Sequence, residues 1–361
     1  MKRSVIMFLV TTAFVGNVVL CFSQTPPEKL LLKDYRPQSI YNVPKTHIER
    51  AKYPVIDVHS HPYARGPEQI AQWVQTMDEV GIEKTLILTA STGARFDSIY
   101  ALYSNYSERF EVWCGFDYTG YDKPGFGPAA VKELERCYKV GARGSGELGD
   151  KGKGLFYDWP TKAWGMHIDD LRMDLLLAKC AELKMPAIIH VAEPKWMYMP
   201  MDSTNDGLMN AYEWRLDNKT DILGHAETVA TLENAAKRHP NTTFIACHVA
   251  NCEYDLNILG AMLDKYPNLH AEIGARYAEM APIPKFVAQF FEKYQDRLMY
   301  GTDMGFDKAM YQITFRILES NDEHFYEYEQ FGYHWPLYGF GLSDTILKKL
   351  YRENALRILG R

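Results

Sequence analysis

The chain is poor in the residues that mark specialised architectures. Only six cysteines occur in 361 residues. One, Cys21, lies in the N-terminal leader, and Cys114, Cys137, Cys180, Cys247 and Cys252 are scattered with no CxxC pair. This excludes a zinc knuckle or a disulfide scaffold. Buried thiols are expected instead, with room for one bridge in an oxidising compartment. No basic run is present and the formal net charge is −6, so nucleic acid and anionic membrane surfaces are poor partners. There is no internal repeat and no low-complexity tract. Past the leader, no apolar stretch is long enough to span a bilayer.

What is present begins with that leader. Lys2 and Arg3 precede an apolar run, and small residues follow around Ser23. This is the order of a cleaved export signal, so residues 1–23 are expected to be removed and the protein to be periplasmic or secreted, without stable membrane insertion. Residues 24–50 are polar and proline-bearing and read as an extended arm. Residues 51–361 read as one domain, with the 47% hydrophobic content of a soluble globular protein.

Within it, eight short apolar runs alternate with stretches of helical period. The runs cover 53–60, 84–90, 110–117, 140–149, 186–194, 242–251, 269–275 and 297–305. Rich in Val, Ile and Leu and closed by turn residues, they suit buried parallel strands. Residues 68–82 place Ile70, Trp73, Met77 and Val80 on one face, and 169–185 and 226–240 behave alike. The class is α/β, and the alternation predicts a (β/α)8 TIM barrel, with an open doubly wound sheet as the alternative. The connections after strands 5 (195–225) and 8 (306–345) are long and aromatic-rich, as a wall or lid over a small organic substrate would be.

The chemistry-bearing residues recur at strand ends. "VIDVHSHP" puts His59 and His61 on one face, because strand side chains alternate. His190 ends the fifth run, His248 the sixth, and Asp303 the eighth, in "MYGTD". In a barrel all five would project into one mouth, and nitrogen with carboxylate oxygen suits zinc, with manganese or iron as alternatives. Glu147 ends the fourth run. It could bridge a second metal, bind substrate, or pair with Arg143. Arg276 is a candidate clamp for a substrate carboxylate, and Trp196 and Tyr198 are candidates to line the pocket.

These motifs, with the closing "LYRENALRILG", resemble the amidohydrolase superfamily over roughly residues 53–360. The likeness is to its amidohydrolase-related branch, which includes hydrolases and the aminocarboxymuconate-semialdehyde decarboxylase type. The resemblance implies a single divalent metal on His59, His61, His190 and Asp303. His248 would touch the reacting group or a second metal. Lysine is missing from the end of strand 4, so a carbamylated-lysine bridge is not expected, and Glu147 could replace it. The first reading is a hydrolase that activates a metal-bound water to cleave a small amide, ester or lactone. Asp303 would relay the proton and His248 would hydrogen-bond the carbonyl oxygen. The alternatives are non-oxidative decarboxylation of a small carboxylic acid, and a non-catalytic metal-stabilised binding protein. Barrels of this branch are often homodimers.

Overall fold

The computed structural model describes residues 25–156 and 160–360. The expected export signal, 1–23, lies outside them. Residues 25–35 make two short 3-10 turns, Pro27–Lys29 and Leu32–Asp34. The second compact unit begins at Arg36, not at residue 51 as the composition suggested. The reason is hydrogen bonding by 36–50: Thr46 gives its N–H and hydroxyl to the Asp322 carboxylate, both at 2.7 Å, and Tyr328 donates to the Pro37 carbonyl at 2.5 Å.

The strands are β1 (Val55–Ser60), β2 (Ile82–Leu88), β3 (Phe110–Trp113), β4 (Ser145–Asp150), β5 (Gly154–Leu155), β6 (Ala163–Trp164), β7 (Ala187–Val191), β8 (Phe244–Ala246), β9 (Leu269–Glu272) and β10 (Leu298–Met299). The eight runs anticipated from sequence are β1–β4 and β7–β10. Their ladders are parallel and form two sheets, β1-β2-β3 and β10-β9-β8-β7-β4. Backbone contacts join the sheets at both seams. Cys114 bridges Ser145 between β3 and β4. Across the other seam Val58 N–H donates to the Tyr300 carbonyl at 3.0 Å, and Asp303 N–H to the His59 carbonyl at 2.9 Å. The fold is the α/β TIM barrel. Sequence periodicity missed the antiparallel β5–β6 hairpin appended to β4, whose strands are two residues each and too short to show a period.

Helices α1 (Pro67–Val80), α2 (Gly93–Tyr103), α3 (Phe126–Val140), α4 (Asp174–Leu183), α5 (His225–Arg238), α6 (Leu256–Lys265), α7 (Pro284–Lys293) and α8 (Lys308–Glu319) surround the strands. α1 shows why they start and stop. Pro67 opens it, where a missing N–H costs nothing. Gly81 closes it at φ 90°, a left-handed turn that glycine adopts without strain. Between them Ile70, Trp73, Met77 and Val80 are buried.

The connection after β10 differs from expectation. α8 occupies its first part, because Met310, Phe315, Ile317 and Leu318 supply a buried face. The irregular segment is therefore 320–343 and follows the helix. It still reaches the mouth of the barrel, where Phe331 and Tyr333 line a cavity. No described helix is long and apolar enough to cross a membrane. Cys114, Cys137, Cys180, Cys247 and Cys252 are buried free thiols.

Candidate metal centre

β1 is buried at all six positions, so its alternation decides which groups face the barrel axis. Asp57 ties β1 to the end of the last strand, accepting from Thr302 N–H at 3.0 Å and from its hydroxyl at 2.6 Å. His59 and His61 follow on the same face. Their outer nitrogens are both occupied: His59 Nδ1 lies 3.0 Å from Glu272 Oε1, and His61 Nδ1 lies 2.9 Å from the Leu88 carbonyl. A carbonyl or carboxylate behind Nδ1 fixes the proton there and leaves the Nε2 lone pair facing inward.

His248 is arranged alike, with Nδ1 2.8 Å from the Gly274 carbonyl. The backbone there is unusual, since His248, Val249 and Ala250 take φ of 57°, 48° and 59°. Left-handed backbone in non-glycine residues costs about 1–2 kcal/mol each and concentrates at functional sites. Several contacts hold the turn. Glu272 accepts from His248 N–H at 2.6 Å. Asn251 donates to the Val191 carbonyl at 3.0 Å, and Arg276 Nε donates to Asn251 Oδ1 at 2.8 Å. Asp303 also has a positive φ, 56°, and its carboxylate turns back over the β1 histidines.

The inward atoms converge. Asp303 Oδ1 lies 3.0 Å from His61 Nε2 and 3.6 Å from His59 Nε2. Glu147 Oε1 lies 3.3 Å from His248 Nε2, 3.7 Å from His59 Nε2 and 3.1 Å from His190 Nδ1. Two overlapping groups have donor atoms within 4.8 Å of one another, His59 with His61 and Asp303, and His59 with Glu147, Cys247 and His248. The Nε2 atoms of His59 and His248 are buried without a hydrogen-bond partner, a costly state that a bound cation relieves. These residues fit a divalent metal.

The protonation states say the same. Burial opposes charge on His59, but the carboxylates of Asp303, Glu272 and Glu147 overcome it and raise the ring to about 9. Burial likewise opposes charge on His61, yet Asp303 and Glu147 lift it well above the usual histidine range. Burial would raise Glu147, but the surrounding histidines hold it well below the carboxylate range. A divalent cation would compete with protons for these nitrogen and oxygen atoms, so its binding should weaken as pH falls.

Other expected residues are placed differently. His190 sits beside this group but outside both donor sets. Its Nε2 is 2.8 Å from the Ala192 carbonyl, and its Nδ1 faces Glu147. Glu147 does not pair with Arg143, whose guanidinium donates to the carbonyls of Tyr138 and Ala142. Arg276 lines the cavity, but its donors go to Asn251, the Ala275 carbonyl and Glu279. Trp196 and Tyr198 do not line the cavity, whereas Met197 between them does. They lie on a 3-10 turn, and Trp196 packs near Tyr333 and Trp335. His248 with Nδ1 donating to Gly274 presents a lone pair, so donating to a substrate oxygen requires the doubly protonated ring.

Sequence reasoning passed over Glu272, which orients both His59 and His248, and Cys247 and Tyr63. A carboxylate inside the apolar run 269–275 was a usable signal for Glu272. Tyr63 donates to Asp303 Oδ1 at 3.3 Å, and nothing in the sequence pointed to it.

The family model described as amidohydrolase matches residues 56–361. The chain belongs to the amidohydrolase family. Several solved structures superpose on its fold. A 2,6-dihydroxybenzoate decarboxylase complexed with 2,6-dihydroxybenzoate gives a TM-score of 0.52 at 15% identity, over 86% of this chain and 100% of that one. A dihydroxybenzoic acid decarboxylase from Polaromonas sp. JS666, with bound manganese, gives 0.54 at 14%, over 85% and 97%. A 5-carboxyvanillate decarboxylase from Novosphingobium aromaticivorans, complexed with manganese, gives 0.51 at 14%, over 88% and 100%. At these identities the likeness is one of fold. No curated protein is matched by the sequence. This amidohydrolase-family chain is an enzyme with a candidate metal site at the barrel mouth.

Proposed function

We propose that the protein is a metal-dependent hydrolase of a small amide, ester or lactone. The observation that carries this reading is the convergence of His59, His61, Glu147, His248 and Asp303 beside a cavity of about 390 Å³. His59, His61 and Asp303 would hold the cation, and Glu147 with His248 would hold a second one or complete the first. A divalent cation in such a set supplies a Lewis acid that makes water a stronger acid and polarises a carbonyl.

The chain's own groups do the rest. Burial alone would raise Asp303, but His59 and His61 hold its carboxyl well below the usual range. It is therefore ionised at neutral pH, and it borders the cavity. Asp303 would take the proton from water and return it to the leaving group. Tyr63 steadies Asp303 through its hydroxyl. Phe331 and Tyr333 add aromatic surface to the same cavity. Zinc is the first candidate metal, and manganese accepts the same donors.

Decarboxylation is the second reading, favoured by the names of the superposed proteins. In it the metal would anchor the substrate carboxylate and His248 or Asp303 would deliver a proton to carbon, while Arg276 stays engaged by Asn251 and Glu279. The test is to incubate metal-replete protein with lactones, esters, amides and aromatic acids, following acid and carbon dioxide release separately. Acid release supports hydrolysis. Carbon dioxide release from an aromatic acid overturns it. We also propose that residues 1–23 are cleaved on export, which N-terminal sequencing of the mature protein would check.

A further inference from the structure

The five described thiols are not equivalent. Cys114 and Cys252 donate to backbone carbonyls, of Gly144 at 3.7 Å and of Ala250 at 3.4 Å, and Cys137 donates to Glu133 Oε1 at 3.4 Å. Cys247 is placed otherwise. Among the described residues it is the one cysteine in a group of potential metal donors, with His59, Glu147 and His248, whose donor atoms lie within 4.8 Å of one another. None of the four residues is more than 3% exposed.

The backbone shows how two consecutive residues reach one point. Cys247 follows β8, and it shares a buried cluster with Ile245, Ile188 and Met299. In a regular strand the next side chain, His248, would point to the opposite face. Its φ of 57° ends that alternation, and its ring falls in the same donor group as the Cys247 thiol. The Nδ1 atoms of His59 and His248 face Glu272 and the Gly274 carbonyl. Their Nε2 atoms are buried without a hydrogen-bond partner, a cost that a cation between them, the thiol and Glu147 relieves.

His59 has one inward nitrogen and gives it to one cation at a time. With His59 serving the group that holds His61 and Asp303, the donors left for another ion are Glu147, Cys247 and His248. The two sets differ in chemistry. The first is nitrogen and oxygen alone, which manganese accepts as zinc does. The second contains sulfur, a soft donor that selects zinc over manganese.

We propose that Cys247 is a thiolate ligand, completing with Glu147 and His248 a second, zinc-selective cation site beside the one on His59, His61 and Asp303. The thiol releases its proton to solvent as the sulfur–metal bond forms. The proposal deepens the metal-dependent reading of the site and rests on it.

The test uses cobalt(II), which replaces zinc and reports sulfur ligation in its absorption spectrum. Full-length wild type, Cys247→Ser and Cys252→Ser are stripped with a chelator, checked for folding by circular dichroism and titrated with cobalt(II) under argon. Wild type and Cys252→Ser are expected to develop a sulfur-to-cobalt charge-transfer band in the near ultraviolet. Cys247→Ser should lack it and keep only the weaker visible bands of cobalt on nitrogen and oxygen. X-ray absorption at the zinc edge of zinc-loaded wild type needs no variant, and should show a sulfur neighbour at about 2.3 Å. Cobalt bound by wild type without the band overturns the proposal, as does a band that survives Cys247→Ser, or a zinc edge with nitrogen and oxygen neighbours only. Failure of wild type to bind either ion overturns it together with the metal site. The hydrolase reading fails separately, through the acid-release panel, and its failure leaves the spectra readable.

Discussion

Two corners of the barrel mouth are built from the same residue types and differ in what stands behind them. In the corner made by β1 and the end of the last strand, His59 and His61 each have Nδ1 tied outward, to Glu272 and to the Leu88 carbonyl. Their Nε2 atoms face Asp303. In the corner made by β4 and β7, His190 is turned the other way, with Nε2 on the Ala192 carbonyl and Nδ1 towards Glu147. All three histidines sit at or near strand ends. The acceptor behind each ring decides which of them offers a lone pair to a cation.

The contrast can be broken most severely at Asp303. Asp303→Asn removes both a candidate ligand and the base, and turnover should fall on the order of 10²–10⁴-fold, measured as initial rate on whichever substrate the panel identifies. Activity within a few-fold of wild type would remove Asp303 from the chemistry. Next is the support behind the first corner. Glu272→Gln weakens the hold on both His59 and His248, and metal affinity should drop roughly 10–100-fold, read by competition with a chelator. Gly301→Ala should act in the same direction, because a Cβ there would collide with Glu272 Oε2 and lie 2.9 Å from His59 Cβ.

A smaller effect sharpens the comparison itself. His190→Ala should weaken metal binding less than His61→Ala does, in the same chelator assay. Equal losses would mean that His190 turns its ring onto the cation and that the corners are equivalent. The smallest effect on activity is expected at Glu253, near the second corner. Glu272 is fully hydrogen-bonded, but both Glu253 oxygens are buried without a partner. Burial pushes this carboxyl up to about 7, partly offset by Arg276. A raised carboxyl favours the fold while protonated, so its contribution is complete below the unfolded value and is lost as pH rises through about 7. Glu253→Gln should therefore leave Tm nearly unchanged at pH 5 and raise it at pH 8, by up to about 3 kcal/mol in stability. A variant less stable than wild type at pH 8 would contradict this.

The fold was legible because buried parallel strands are continuous apolar runs and the helices between them keep a clean period. The β5–β6 hairpin was too short to show one. His59, His61, His248 and Asp303 were legible because strand ends in a barrel share a face. Their orientation was not, since it depends on Glu272, Leu88 and Gly274, which are distant in sequence from the rings they fix. The same limit applies to Arg276. Its position after the seventh strand was readable, but its engagement by Asn251 follows from a left-handed turn at His248 that no residue type announces. α8 was hidden inside a segment read as loop, because its aromatic residues resembled those of the irregular segment beyond it.

The cation is the component on which the site's chemistry depends. Elemental analysis of wild type and His61→Ala, purified and dialysed at pH 7.5, is the direct measurement. At least one equivalent of divalent metal per wild-type chain, removed by a chelator together with activity and largely missing from His61→Ala, is the predicted result. A metal-free wild type that remains active, or metal content unchanged by His61→Ala, would contradict it.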